Sequence, residues 1–309
     1  MTVQQPGTGA AALGADVQAR LMLVLLCFIW GFSWPLMKVA LYEIPPLSMR
    51  ASTSFIGALT LLLVCLLKRR SLRVGSAKAW THVIVAAMLN VVGFSLFSAF
   101  GQMAAATTRV AILTYTMPIW ALVLAWAVLG ERPTRMQVLA IALCAVGLAV
   151  LVAPLASAGI PLGLLLAVGS GFSWAAGTVY LKWARIQGDP IAIATWQLLI
   201  AFFVIGASML IFEGGLQLGN AHAAALLSVV FTGLAANALA FALWFEIVGR
   251  VPALTATLGI VGIPVIGVLA TIVILGERLT LGDTLGFAFI FGASVCAQIP
   301  ASVFRKASG

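Results

Sequence analysis

Apolar residues run along this chain in long stretches broken by short polar turns. The stretches fall at about 20–41, 47–67, 80–102, 107–129, 134–153, 161–183, 190–212, 222–248, 253–275 and 281–303. Each is of the order of the ~20 residues that a helix needs to cross ~30 Å of hydrocarbon. None shows the alternation of apolar and polar positions that a barrel strand requires. A helix also satisfies its backbone groups within its own segment, which lipid demands. The pattern therefore predicts an all-α integral membrane protein of ten transmembrane helices. Residues 1–19, rich in Gly, Ala, Gln and Thr, read as a disordered cytoplasmic tail, and 305–309 as a short cytoplasmic C-terminus. The first apolar run lacks the early charged region and small-residue cleavage site of a signal peptide.

Composition says what surrounds these helices. Of 309 residues, 63% are hydrophobic and 8% charged, against roughly 25% charged in a soluble domain. There is too little polar surface to cover a soluble globule, so the lipid bilayer is a partner. A net charge of +9 could suit nucleic acid, but the charges are sorted by loop. With the N-terminus inside, thirteen Lys and Arg fall on the cytoplasmic side and four (Lys38, Arg50, Arg109 and Arg278) on the outer side, while the acidic residues divide four and four. A bias in basic residues alone is the positive-inside rule. It argues against a nucleic-acid partner, and it places both termini in the cytoplasm.

Self-similarity gives the organisation. Gly31-Phe32-Ser33-Trp34 in the first span recurs as Gly171-Phe172-Ser173-Trp174 in the sixth. Leu129-Gly130-Glu131-Arg132-Pro133-Thr134 recurs as Leu275-Gly276-Glu277-Arg278-Leu279-Thr280, and Pro118 matches Pro264. Two five-helix units follow, 20–153 and 154–304. Because five is odd, the copies cross the membrane in opposite directions. Inverted repeats of this kind are characteristic of transporters, with the substrate near the midplane between the repeats.

Those motifs, with Trp30 preceding the first of them, resemble the drug/metabolite transporter superfamily in its ten-helix EamA-type branch. The resemblance covers nearly the whole chain after residue 20 and leans towards bacterial exporters of aromatic and other neutral amino acids. It implies alternating access, no cofactor, a place in the inner membrane of a bacterium, and a cavity formed mainly by spans one, three, four, six, eight and nine.

The Gly-Glu-Arg-x-Thr turns place a carboxylate beside a guanidinium, as an active site would. Their spacing is instead that of helix ends: Thr134 with Gln137, and Thr280 with Asp283, form capping boxes, and Gly130 and Gly276 close the preceding helices. Pro118 and Pro264, joined by Gly259, Gly262 and Gly267, read as symmetry-related hinges, since Pro removes a backbone hydrogen bond. Pro35 interrupts the first span in the same way. Trp30, Trp34, Trp120 and Trp174 lie deeper in their spans than the other tryptophans. Trp30 and Trp34 share a helix face, and with Trp174 they are candidate cavity walls, able to stack on a planar side chain or hold an ammonium group.

Polar groups at depth face the bundle interior. The set comprises Asn90, Ser95, Ser98, Thr114, Tyr115, Thr116, Ser173, Thr178, Asn237 and Thr257. Asn90, Tyr115, Thr178 and Asn237 join the three tryptophans as the expected substrate-binding residues. Asn90 and Asn237 match within one residue of the Pro118–Pro264 offset. No carboxylate lies near the middle of a span, and deep carboxylates are the usual proton relays. That points to a facilitator of a neutral or zwitterionic solute; a proton-coupled efflux carrier of another metabolite or drug is the alternative. Cys27, Cys65, Cys144 and Cys296 are isolated, as are His82 and His222, so no metal site is expected. No His has an acid or nucleophile partner from which to build an enzyme. The expected partners are a small-molecule substrate and the bilayer, with the chain acting as a monomer.

Overall fold

A computed structural model of the chain describes residues 8–153, 161–248 and 261–298. Among them every regular element is helical. The helices are α1 (Thr8–Leu41), α2 (Pro46–Leu67), α3 (Ala77–Ala104), α4 (Thr107–Leu129), α5 (Arg135–Val152), α6 (Leu162–Ala184), α7 (Pro190–Phe212), α8 (Ala223–Phe231 continuing to Val248), α9 (Gly262–Leu275) and α10 (Leu281–Gln298). By length and composition, nine of these can cross a membrane. The other, α9, is apolar but only 14 residues long, and it begins just after the undescribed residues 249–260. The expected positions Thr257 and Gly259, the first part of the ninth span and residues 305–309 lie outside the described residues.

Helix ends follow the residues available. Thr134 accepts from the Gln137 N–H at 3.3 Å while the Thr134 N–H donates to the Gln137 side chain at 2.8 Å, the expected capping box. Asp283 and Thr280 exchange hydrogen bonds likewise at the start of α10. Gly130 and Gly276 end α4 and α9 with φ of 70° and 65°, in the left-handed region that a side chain disfavours. Backbone helix reaches back to Thr8, into the segment whose composition reads as a tail; its alanines favour helix once α1 provides a nucleus.

Among the described residues, three helices are irregular. In α4 the first half ends at Thr114 and the second begins at Met117. Pro118 has no N–H to donate to Thr114, and its ring crowds that carbonyl, so the helix breaks across Tyr115 and Thr116. In α3 the turn Met88–Gly93 is π-helical, and in α8 so is Thr232–Leu239.

Packing pairs α2 with α7 and α5 with α10; α1 lies against α8 and α9, and α6 against α3 and α4. This pattern maps onto itself when each helix is exchanged for the one five places away. Large apolar side chains such as Phe203, Phe212 and Val273 are largely exposed on the outer faces, a surface that lipid covers.

Candidate functional site

The two Gly-Phe-Ser-Trp motifs sit at close helix crossings. A Cβ on Gly31 would lie 2.6 Å from Ile266 of α9, and one on Gly171 would lie 2.7 Å from the Thr114 carbonyl at the break in α4. Only glycine allows the two backbones to approach so closely. The first helix of each half is thereby seated on the fourth helix of the other.

The same two helices fasten the π-helical turns. Ser173 Oγ of α6 donates to the Leu89 carbonyl at 2.6 Å, inside the π turn of α3. Trp30 Nε1 of α1 donates to the Ala236 carbonyl at 3.1 Å, inside that of α8. A π turn widens the helix and offers carbonyls to outside donors. Each π turn also carries one of the two asparagines. Asn237 Nδ2 donates to the Thr53 carbonyl of α2 at 3.2 Å. Asn90 is buried against Gly177 of α6, and its Oδ1 accepts no hydrogen bond.

Between the two π turns runs a band of rings. Phe94 (α3) and Trp174 (α6) are 5.1 Å apart, Trp174 and Phe241 (α8) 6.1 Å, and Phe241 and Trp30 (α1) 6.0 Å. Trp244 continues it 6.5 Å from Trp30. These separations are those of favourable aromatic pairs, and the band joins helices of both halves.

The ends of the bundle differ. At the end holding the α1–α2 turn, the Glu277 carboxylate accepts from the Thr107 and Thr108 N–H groups, both at 2.8 Å, and from Thr108 Oγ at 2.6 Å. Glu213 accepts from Leu47 N–H, Ser48 N–H and Ser48 Oγ, each at 2.7 Å. Helices α4 and α2 begin after Ala106 and Pro45, which cannot cap them, so carboxylates from distant turns do so. Arg109 pairs with Asp283 at 2.7 Å, and Lys38 donates to the Gln102 carbonyl. His222 N–H donates to Glu43 and holds its carboxyl below the usual range. At the opposite end Glu131, the sequence mate of Glu277, pairs with Lys182 at 2.6 Å where both are exposed. A groove of about 560 Å³ opens there beside Lys78, His82, Trp183 and Arg185.

The model of the EamA-like transporter family matches the chain twice, over residues 18–153 and 161–297. The chain belongs to the EamA-like transporter family. It is 31% identical to the "Uncharacterized transporter YvbV" of Bacillus subtilis over 94% of both chains. It is 25% identical to a "Probable amino-acid metabolite efflux pump" of Salmonella typhimurium, covering 84% of this chain and 87% of the other. A solved structure titled "Crystal structure of protein" shares the fold, with a TM-score of 0.64 and 20% identity over 91% of this chain and 98% of that one. The chain is thus a multi-pass membrane transporter.

In this EamA-like transporter the expected site residues divide. Trp30 and Trp174 meet through Phe241, and Asn90 and Asn237 lie in the π turns. Trp34 and Tyr115 are buried against each other, with Trp34 Nε1 donating to the Tyr115 hydroxyl at 3.3 Å, and they join α1 to the break in α4. Thr178 is exposed and donates to the Trp174 carbonyl of its own helix. Pro118 lies at the α4 break and Pro264 in the first turn of α9. Phe94 and Phe241 are additions; Phe94 is four residues from Asn90 and so shares its face. Arg50 is another addition, because it is only 4% exposed rather than at the membrane surface. Among the described residues, no three His, Cys, Asp or Glu side chains come together as a metal site.

Proposed function

We propose that this transporter exports neutral amino acids, aromatic ones above all, down their own gradient by alternating access. Ten spans form two inverted five-helix repeats, and the protein acts as a monomer in the bacterial inner membrane with both termini in the cytoplasm. The band Phe94–Trp174–Phe241–Trp30 carries this reading. It offers ring faces for a planar side chain or an ammonium group at the meeting of the two halves. The exchange symmetry of the packing and the double match to the family model support the repeat. The name of the Salmonella relative supports the substrate class.

The closed end is the periplasmic one. Glu277 and Glu213 hold α4 and α2 there, whereas Glu131 at the other end is exposed and pairs with Lys182. Export then requires release of the Glu277 cap. Pro118 and Pro264 are the hinges, Pro118 where α4 already lacks a hydrogen bond.

Growth of an overexpressing strain on toxic aromatic amino-acid analogues tests the reading. Resistance is expected, and it should be lost in Trp30→Ala, Trp174→Ala and Asn90→Ala at unchanged expression. Analogue sensitivity equal to that of the empty strain would overturn it. Strict dependence of transport on an imposed proton gradient would favour the coupled efflux carrier instead.

A further inference from the structure

Arg50 lies five residues into α2, buried, with no carboxylate partner among the described residues. One guanidinium nitrogen donates to Ser98 Oγ of α3 at 2.7 Å and touches the Met37 sulfur of α1, while Nε has no partner. One helical turn beyond Ser98, Gln102 is fully buried, and neither its side-chain oxygen nor its nitrogen is hydrogen-bonded. Lys38 donates to the backbone carbonyl of Gln102 and forms no ion pair within 4 Å among the described residues, its nearest acidic influence being Glu277. Two cations and three unpaired polar atoms are thus gathered where α1, α2 and α3 meet. Structural buried charges are normally paired and buried polar groups bonded, and an intramembrane cation without a counter-charge marks a substrate pathway.

We infer that Arg50, with Ser98 and Gln102, is a binding site for the α-carboxylate of the transported amino acid. The inference rests on the amino-acid reading above. The unused atoms suit that ligand. Arg50 Nε and Gln102 Nε2 are donors for carboxylate oxygens, and Gln102 Oε1 is an acceptor for the ammonium group. A guanidinium binds a carboxylate through parallel hydrogen bonds that a lysine cannot reproduce. Position supports it too. Phe94, an end member of the aromatic band, is four residues before Ser98 on the same face of α3, about 6 Å along the axis at 1.5 Å per residue. A ligand whose ring lies on Phe94 therefore directs its carboxylate towards Arg50, on the way to the α1–α2 end.

Counterflow of labelled phenylalanine into proteoliposomes, competed by phenylalanine, phenylalaninamide or phenethylamine, tests this. Wild-type protein should be inhibited by phenylalanine and far less by the two analogues lacking the carboxylate. Arg50→Gln should lower that discrimination by more than about tenfold, Arg50→Lys by less, and Ser98→Ala part of the way. Chloride in excess should not mimic the amino acid. Correctly folded Arg50→Gln that still rejects the amide as wild type does would overturn the inference. If neither Arg50 variant folds, unchanged discrimination in Ser98→Ala would do the same. Wild-type protein that exchanges no amino acid would instead overturn the amino-acid reading, and this site with it.

Discussion

Replacing Glu277 by Gln should unfasten the end of the bundle that holds the α1–α2 turn. The carboxylate accepts three hydrogen bonds, two of them from the N–H groups of Thr107 and Thr108 at the uncapped start of α4. A glutamine has one acceptor oxygen in place of two, so one backbone N–H loses its partner and the others lose a charged acceptor. Bonds to a charged group contribute ~1.5–3 kcal/mol and neutral ones ~0.5–1.5, and removing the charge from a helix N-terminus costs up to ~1 more. Glu277 is partly exposed, and water softens the loss. A net cost of about 2 kcal/mol follows, or roughly thirtyfold in the opening equilibrium at about 1.4 kcal/mol per tenfold. Amide hydrogen exchange of the protein in lipid nanodiscs reads it directly. The Thr107 and Thr108 amides should exchange about thirtyfold faster in Glu277→Gln, with the Thr134–Gln137 cap unchanged. Exchange as slow as in the wild type would show that Glu277 does not hold α4.

Other changes test the centre. Ser173→Ala leaves the Leu89 carbonyl without its 2.6 Å donor and should destabilise the protein by ~1–3 kcal/mol, measured as a lower thermal midpoint in detergent. In Gly177→Ala the new methyl meets the Asn90 carboxamide and lies 2.8 Å from the Asn90 backbone nitrogen; separation of α3 from α6 should cost ~1–3 kcal/mol and abolish transport in a liposome assay. Trp30→Phe keeps a ring but loses the bond to Ala236, so it should retain more transport than Trp30→Ala. Equal activities in those two variants would show that the ring is not what matters.

The spans were legible because lipid imposes a long apolar run on every crossing helix. Observed ends such as 46–67 and 107–129 match the pattern closely. Caps at Thr134 and Thr280 were legible because their partners lie three residues away. Contacts between distant segments were not. Glu277 sits in a turn that the sequence explains locally, while the helix it caps lies 170 residues earlier. Periodicity gives Trp34 a face but not the neighbour Tyr115 that buries it. The asparagine match marks Asn90 and Asn237, yet the π turns around them depend on Ser173 and Trp30 from other helices. Arg50 is visible as a charge near a helix end; only packing shows that it points inward.

Counterflow in proteoliposomes tests the central claim most directly. Vesicles preloaded with unlabelled phenylalanine should accumulate labelled phenylalanine transiently above equilibrium. The accumulation should be insensitive to an imposed pH gradient and absent in Trp174→Ala. No accumulation from wild-type protein that is folded and reconstituted, across the aromatic and other neutral amino acids, would contradict the account.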